Sequence, residues 1–104
     1  MSCIIDYIEK NYTNSDLSIG VLSDIFFYNE KYFSFVFKKE TGQNFTQYLN
    51  NLRVEKAKED FKKDIKSINE VSANCGFSDP LYFSKVFKKI TTLSPSEYIK
   101  NHRN

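Results

Sequence analysis

The chain has 104 residues, 40% apolar and 16% aromatic, enough for one domain to bury a core without disulfides or a structural metal. It has no run of about eighteen apolar residues, and no basic start followed by an apolar stretch and a small-residue cleavage site. The expectation is therefore a cytoplasmic protein without a membrane partner. A net charge of +2 names no partner by itself, and two cysteines, Cys3 and Cys75, fit a reducing compartment better than a disulfide scaffold.

Only three glycines and two prolines punctuate the chain, and no segment alternates apolar and polar residues long enough for a sheet, so the expected fold is all-α with about seven helices. The first covers residues 4–11, with Ile4, Ile5, Ile8 and Tyr12 on one side. Ser18 caps a second, which carries Ile19, Leu22 and Ile25. A third starts at Asn29 and runs to residue 40 before Gly42 stops it. The longest spans 45 to 62 or 63 behind an NFTQ capping box, with Tyr48, Leu49, Leu52, Ala57 and Phe61 apolar.

Three further starts carry two signals each. SINE at 67–70 is a Ser-x-x-Glu box opening a helix to Cys75, after which Gly76 permits a tight turn. SDP at 78–80 offers Asp79 as cap and Pro80 at the first helical position, for a helix to residue 91. SPSE at 94–97 combines Pro95 with another capping box, for a last helix to residue 101. Cys75, among apolar positions, reads as a small buried hydrophobe.

These helices fall into two copies. YFSFVFKK at 32–39 returns as YFSKVFKK at 82–89, and a short helix, a turn and a longer aromatic helix occur at 19–40 and again at 68–91. Ile19 and Leu22 match Ile68 and Val71 at a spacing of 49, while Tyr32 matches Tyr82 at 50, so the second turn is one residue longer. Two helices about a short turn form a helix-turn-helix unit, whose second helix reads the major groove. A duplicated hairpin kept only for packing is the competing reading. The expected layout is one domain over 1–104, with a first unit at about 1–44, a linker helix at 45–63 and a second unit at 67–104.

Helical spacing places Phe33, Val36 and Phe37 in the core, as it does Phe83, Val86 and Phe87. Opposite lie Lys31, Ser34, Phe35 and Lys38 in the first copy, and Leu81, Ser84, Lys85 and Lys88 in the second. Exposed Phe35 and Leu81 invite a contact, either the thymine methyl in a major groove or a protein surface. From Asp79 onward five basic residues, Lys85, Lys88, Lys89, Lys100 and Arg103, face two acids, Asp79 and Glu97, a local excess suited to phosphate. A linker helix over 45–62 is about 27 Å long, against about 34 Å between successive major-groove segments on one duplex face, so one monomer can span both. The only histidine is His102, and no nucleophile triad, phosphate-cradling glycine loop or metal spacing occurs, which points away from an enzyme and from metals or cofactors.

The stretch GFSDPLYFSKVFKKITTLSPSEYIK at 76–100, with FKKETGQNFTQYLNNLRVEKAKE at 37–59, resembles the DNA-binding domain of the AraC/XylS family of transcription regulators. The resemblance runs from about residue 17 to residue 100. It implies two helix-turn-helix units joined by the long helix, in a monomer that inserts two recognition helices into successive major grooves of double-stranded DNA. It also implies activation through contact with RNA polymerase. Carried over by position, base-facing roles fall on Lys31, Ser34, Phe35, Leu81, Ser84 and Lys85, and phosphate contacts on Lys38, Lys39, Lys88 and Lys89. Arg53 either reaches phosphate or braces the linker helix.

Four positions depart from the family pattern: Phe27 and Thr92 replace glycines, Phe35 stands where arginine is common, and Gly20 weakens its helix by roughly 1 kcal/mol. The second unit, which keeps more of the pattern, is expected to supply more of the discrimination. The alternatives are a protein-interaction module of the same fold, with weak or no DNA binding, or the output half of a longer ligand-sensing regulator.

Overall fold

The computed structural model describes residues 1–63 and 67–101, so His102 and Arg103 lie outside the described residues. The seven expected helices are all present: α1 (Ser2–Asn11), α2 (Ile19–Ile25), α3 (Glu30–Thr41), α4 (Phe45–Lys63), α5 (Ile68–Asn74), α6 (Pro80–Thr91) and α7 (Pro95–Asn101). There is no strand among the described residues.

Six of the seven starts follow from a side-chain cap, and α1, behind Met1, has none. Ser18, Asn29 and Ser67 accept backbone N–H bonds three residues on, at 3.1, 3.2 and 3.1 Å. Asp79 accepts from Leu81 at 3.0 Å, with Pro80 opening α6. At α4, Asn44 and Gln47 bond each other's backbone N–H at 2.8 and 3.3 Å, and Ser94 and Glu97 do the same at α7 at 3.2 and 3.0 Å. These are the reciprocal pairs that a capping box requires, and they satisfy donors no helix can satisfy internally.

The repeat extends past the octet. The single hydroxyl proton of Thr41 and of Thr91 lies between two acceptors, the carbonyl four residues back, Phe37 or Phe87, at 2.8 Å and the carbonyl two residues on at 2.9 Å. The next residues, Gly42 and Thr92, both adopt left-handed φ, at 79° and 69°, and donate to Lys38 and Lys88 at 2.8 Å. The α2–α3 turn has four residues, 26–29, and the α5–α6 turn five, 75–79. Both turns pass through positive φ at matching places, Phe27 at 60° and Gly76 at 97°. Tyr28 and Phe77 then donate to the carbonyls of Ser23 and Ser72 at 2.8 and 3.0 Å, which closes each turn alike. Phe27 tolerates the glycine conformation with its side chain 94% exposed, clear of any neighbour it could strike.

Two separate cores result. Ile4, Ile8, Leu17, Leu22, Phe33, Phe37, Phe45 and Leu49 form the first. Val54, Ala57, Val71, Cys75, Phe77, Phe83, Val86, Phe87 and Tyr98 form the second. Helix α4 belongs to both, giving Phe45 and Leu49 to one and Val54 and Ala57 to the other. At about 100° per residue those two pairs point to roughly opposite sides of the helix, so α4 has no single apolar stripe and holds one unit against each flank. The molecule is correspondingly long, 46 × 23 × 21 Å, with a radius of gyration of 14.7 Å against about 13 Å for a compact domain of this size.

Two expectations need adjusting. Val36 is only half-buried, whereas its counterpart Val86, beside α4, is buried. Ile25, expected on the apolar side of α2, is exposed.

Candidate nucleic-acid interface

The residues that repeat as Phe-x-x-Val-Phe hold α3 and α6 in their cores. Phe33 stacks edge-on to Phe37 at 6.2 Å, and Phe37 meets Phe45 and Tyr48 of α4 at 5.7 and 5.3 Å. In the second unit Phe83 and Phe87 lie 5.6 Å apart, with Phe87 against Tyr98 at 5.4 Å. Pinned in this way, each helix turns its other side to solvent.

On α3 the outward set is Lys31, Ser34, Phe35, Lys38 and Lys39, all exposed, with Phe35 exposed over 66% of its surface. Ser34, Phe35, Lys38 and Lys39 share a shallow hollow with Asn44, the cap of α4. On α6, Leu81 is 75% exposed, and Lys85, Lys88 and Lys89 are exposed as well. Ser84 is half-buried, so it does not match the open position of Ser34. Lys85 and Lys89 line a groove that runs between α6 and the start of α4, closed on the far side by Gln43, Gln47 and Asn50. Asn50 donates from Nδ2 to the Tyr82 hydroxyl at 3.2 Å across it.

The structure thus groups the expected lysines with uncharged amides that the sequence did not flag. Asn44, Gln47 and Asn50 carry neither charge nor repeat signal, and only their place beside the outward faces of α3 and α6 draws notice. The one hint was the NFTQ capping box, which names Asn44 and Gln47 for another reason.

Arg53 is placed inside the fold. It is 6% exposed, donates from Nε to the Tyr12 carbonyl and from Nη2 to the Asn14 carbonyl, each at 2.9 Å, and stacks over the Phe77 ring at 5.6 Å. Burial lowers its pKa from the usual arginine range. A guanidinium engaged in this way presents nothing to a phosphate on the surface. Burial, reinforced by Asp60, pushes the Cys75 thiol up to about 12, so it stays protonated and unreactive at neutral pH.

No group of three or more His, Cys, Asp or Glu side chains that could hold a metal ion occurs among the described residues. Among the same residues, no helix is long and apolar enough to cross a membrane.

Two capped helix-turn-helix units with outward-facing second helices define a DNA-binding helix-turn-helix domain. Residues 22–101 match the family described as "Helix-turn-helix domain", and the chain belongs to that family, in its AraC type. Its members of this kind are DNA-binding transcription regulators. The chain is similar to the uncharacterized transcriptional regulatory protein YesN of Bacillus subtilis, with 40% identity over 102 residues, covering 94% of this chain and 27% of that protein. It therefore spans well under half the length of that curated relative. The crystal structure of the C-terminal domain of the two-component response regulator yesN from Fusobacterium nucleatum superposes with a TM-score of 0.92 at 35% identity, over 94% of this chain and 95% of that one. The DNA-binding domain of AdpA, solved in complex with a target DNA, shares the fold at a TM-score of 0.92 and 22% identity, over 98% and 91% of the two chains.

Proposed function

We propose that this domain binds double-stranded DNA sequence-specifically by seating α3 and α6 in successive major-groove segments. The observation that carries the reading is the one difference inside the repeat. Two helices fixed by the same core letters, each with a side-chain cap at its start and a left-handed residue after its end, differ on their exposed side, Phe35 against Lys85. One scaffold used twice reads two sequences only if the changed residues touch the bases. A long axis of 46 Å accommodates the roughly 34 Å between neighbouring grooves.

The second unit carries more of the discrimination. Residues 1–44 hold four lysines against six acids, so the positive excess lies elsewhere in the chain. Lys85 is the donor for a guanine edge, and Phe35 and Leu81 meet thymine methyl groups. Lys38, Lys39, Lys88 and Lys89 neutralise phosphates, and Arg53 braces the fold instead of joining them.

The separate cores support a first unit over residues 1–44 and a second over 67–104, joined by 45–63 into one domain that binds as a monomer. In a bacterial cytoplasm such a domain acts as an activator that touches RNA polymerase. Transcription in vitro from a promoter carrying the selected site tests that step, and a fall in transcript would make it a repressor.

Selecting bound duplexes from a random library at two salt concentrations tests the central reading. The expected product is a two-part site whose information survives at the higher salt. Recovery of no sequence preference, with all binding lost as salt rises, would reduce the contact to phosphate attraction. No retained duplex at either salt would favour a protein surface docking on Phe35 and Leu81.

A further inference from the structure

Arg53 sits where a cation is costly. Its guanidinium is buried, and the ion pairs found among the described residues, Lys56–Glu59 and Lys58–Glu55, lie elsewhere on α4 and leave it without a carboxylate. A methionine would fill similar space with no charge to desolvate, and buried charges are often replaceable in that way without loss of stability. What methionine cannot do is hold two carbonyl oxygens at once. Arg53 does so at 2.9 Å each, on Tyr12 and Asn14, in the loop between α1 and α2 of the first unit.

The other side of the same guanidinium faces the second unit. It covers Phe77, whose ring lies 5.0 Å from Phe83 and 6.1 Å from Tyr82, both on α6. Gly76 is pressed into the same point: a Cβ there would come 2.2 Å from the Tyr12 carbonyl oxygen and 2.9 Å from Arg53 Nε. So the first unit's loop, the middle of α4 and the second unit's turn converge on one side chain. The apolar cores do not join across this boundary. Among the described residues, α4, the Asn50–Tyr82 bond and this node tie the two units to one another.

Resting on the two-groove reading above, we infer that Arg53 is a positioning residue that sets the distance and twist between α3 and α6, and with them the half-site spacing the domain accepts. One base pair changes the separation by about 3.4 Å and the rotation by roughly 35°. A node made of two short hydrogen bonds and a ring stack resists a displacement of that size. An apolar side chain, which packs without direction, resists it far less.

The test uses the selected two-part site and versions with one base pair added or removed between its halves, read by fluorescence anisotropy for the wild-type chain, R53M and R53K. The wild-type chain loses about tenfold or more in affinity on either altered spacing. R53M binds the native spacing more weakly and loses only about threefold or less on the altered ones, with base preferences inside each half unchanged. R53K, whose single ammonium cannot reproduce the fork, falls between. Simple destabilisation would scale all three duplexes alike, so an R53M chain that keeps the wild-type spacing penalty overturns the inference. If R53M does not fold by circular dichroism, an unchanged penalty in R53K overturns it equally. A wild-type chain indifferent to spacing would overturn the two-groove reading and this inference with it.

Discussion

Glycine stands at two left-handed positions, Gly42 and Gly76, and other residues stand at two more, Phe27 and Thr92. The four separate backbone strain from close approach. Gly42, at φ 79°, has nothing within 4 Å of the place a Cβ would take. Replacing it with alanine therefore adds only the left-handed penalty of roughly 1–2 kcal/mol, less the roughly 0.5–1 that alanine recovers from the unfolded chain, for a net loss of about 1 kcal/mol. Gly76, at φ 97°, would carry the same strain and would also drive a Cβ to 2.2 Å from the Tyr12 oxygen, which Arg53 holds in place. Backbone cannot swing aside as a side chain can, so Gly76→Ala should cost about 3–4 kcal/mol, through displacement of the loop and loss of the arginine's bond. In the opposite sense Thr92→Gly, which relieves a β-branched residue at φ 69°, should gain about 1 kcal/mol. Thermal melts followed by circular dichroism read these directly. At about 4–8 °C per kcal/mol, the expected shifts are about 5 °C down for Gly42→Ala, about 5 °C up for Thr92→Gly and more than about 15 °C down for Gly76→Ala. Equal shifts for the two glycine variants would refute the close approach at Gly76. A lower melting temperature for Thr92→Gly would refute the strain at Thr92.

Lys85→Ala should weaken binding to the selected duplex by roughly 1–3 kcal/mol while barely changing affinity for random DNA, as titrations on both duplexes would show; equal losses on the two would make Lys85 a phosphate contact. Of the two thiols, exposed Cys3 should react with iodoacetamide in the native protein and Cys75 only after denaturation, as counted by mass spectrometry. Because the folded Cys75 thiol is held near 12 rather than 9.0, its contribution to stability is complete below the ordinary value and is lost as pH rises from about 9 toward 12; a Cys75→Ala chain should lack that alkaline slope. The Ser94 backbone and hydroxyl bonds hold the Glu97 carboxyl below its ordinary value, so its support of α7 is present above that value and disappears as pH falls through the folded one. Melting temperatures of Glu97→Gln and the wild-type chain should accordingly differ at pH 7 and converge in acid.

Much of the fold was legible because its signals are local. A cap needs only an oxygen and an N–H two or three residues away, and a left-handed stop needs only one residue, so SINE, SDP, SPSE and Gly42 marked helix ends that the structure reproduces. The outward faces of α3 and α6 were legible for a similar reason, since helical periodicity sorts Phe33 from Phe35 and Phe83 from Lys85 without reference to any other element. Half-burial of Val36 and Ser84 was not legible, because periodicity says which way a side chain points and not how closely a neighbour approaches it.

Arg53 marks the boundary most clearly. From the sequence it was a cation on a long helix, able to reach a phosphate or to brace that helix internally. Its surroundings come from Tyr12 and Asn14, some forty residues earlier, and from Phe77, more than twenty later. Asn44 and Asn50 became candidates in the same manner, once the turn after α3 and the start of α4 lay beside the lysines. By itself the sequence determined seven helices, their ends, their duplication and the one changed letter on the exposed side of the repeat, because each depends on bonds spanning a few residues. Tertiary structure alone decided which flank of α4 each unit occupies and which polar groups lie between them, because burial and hydrogen bonding there depend on residues brought together from distant parts of the chain.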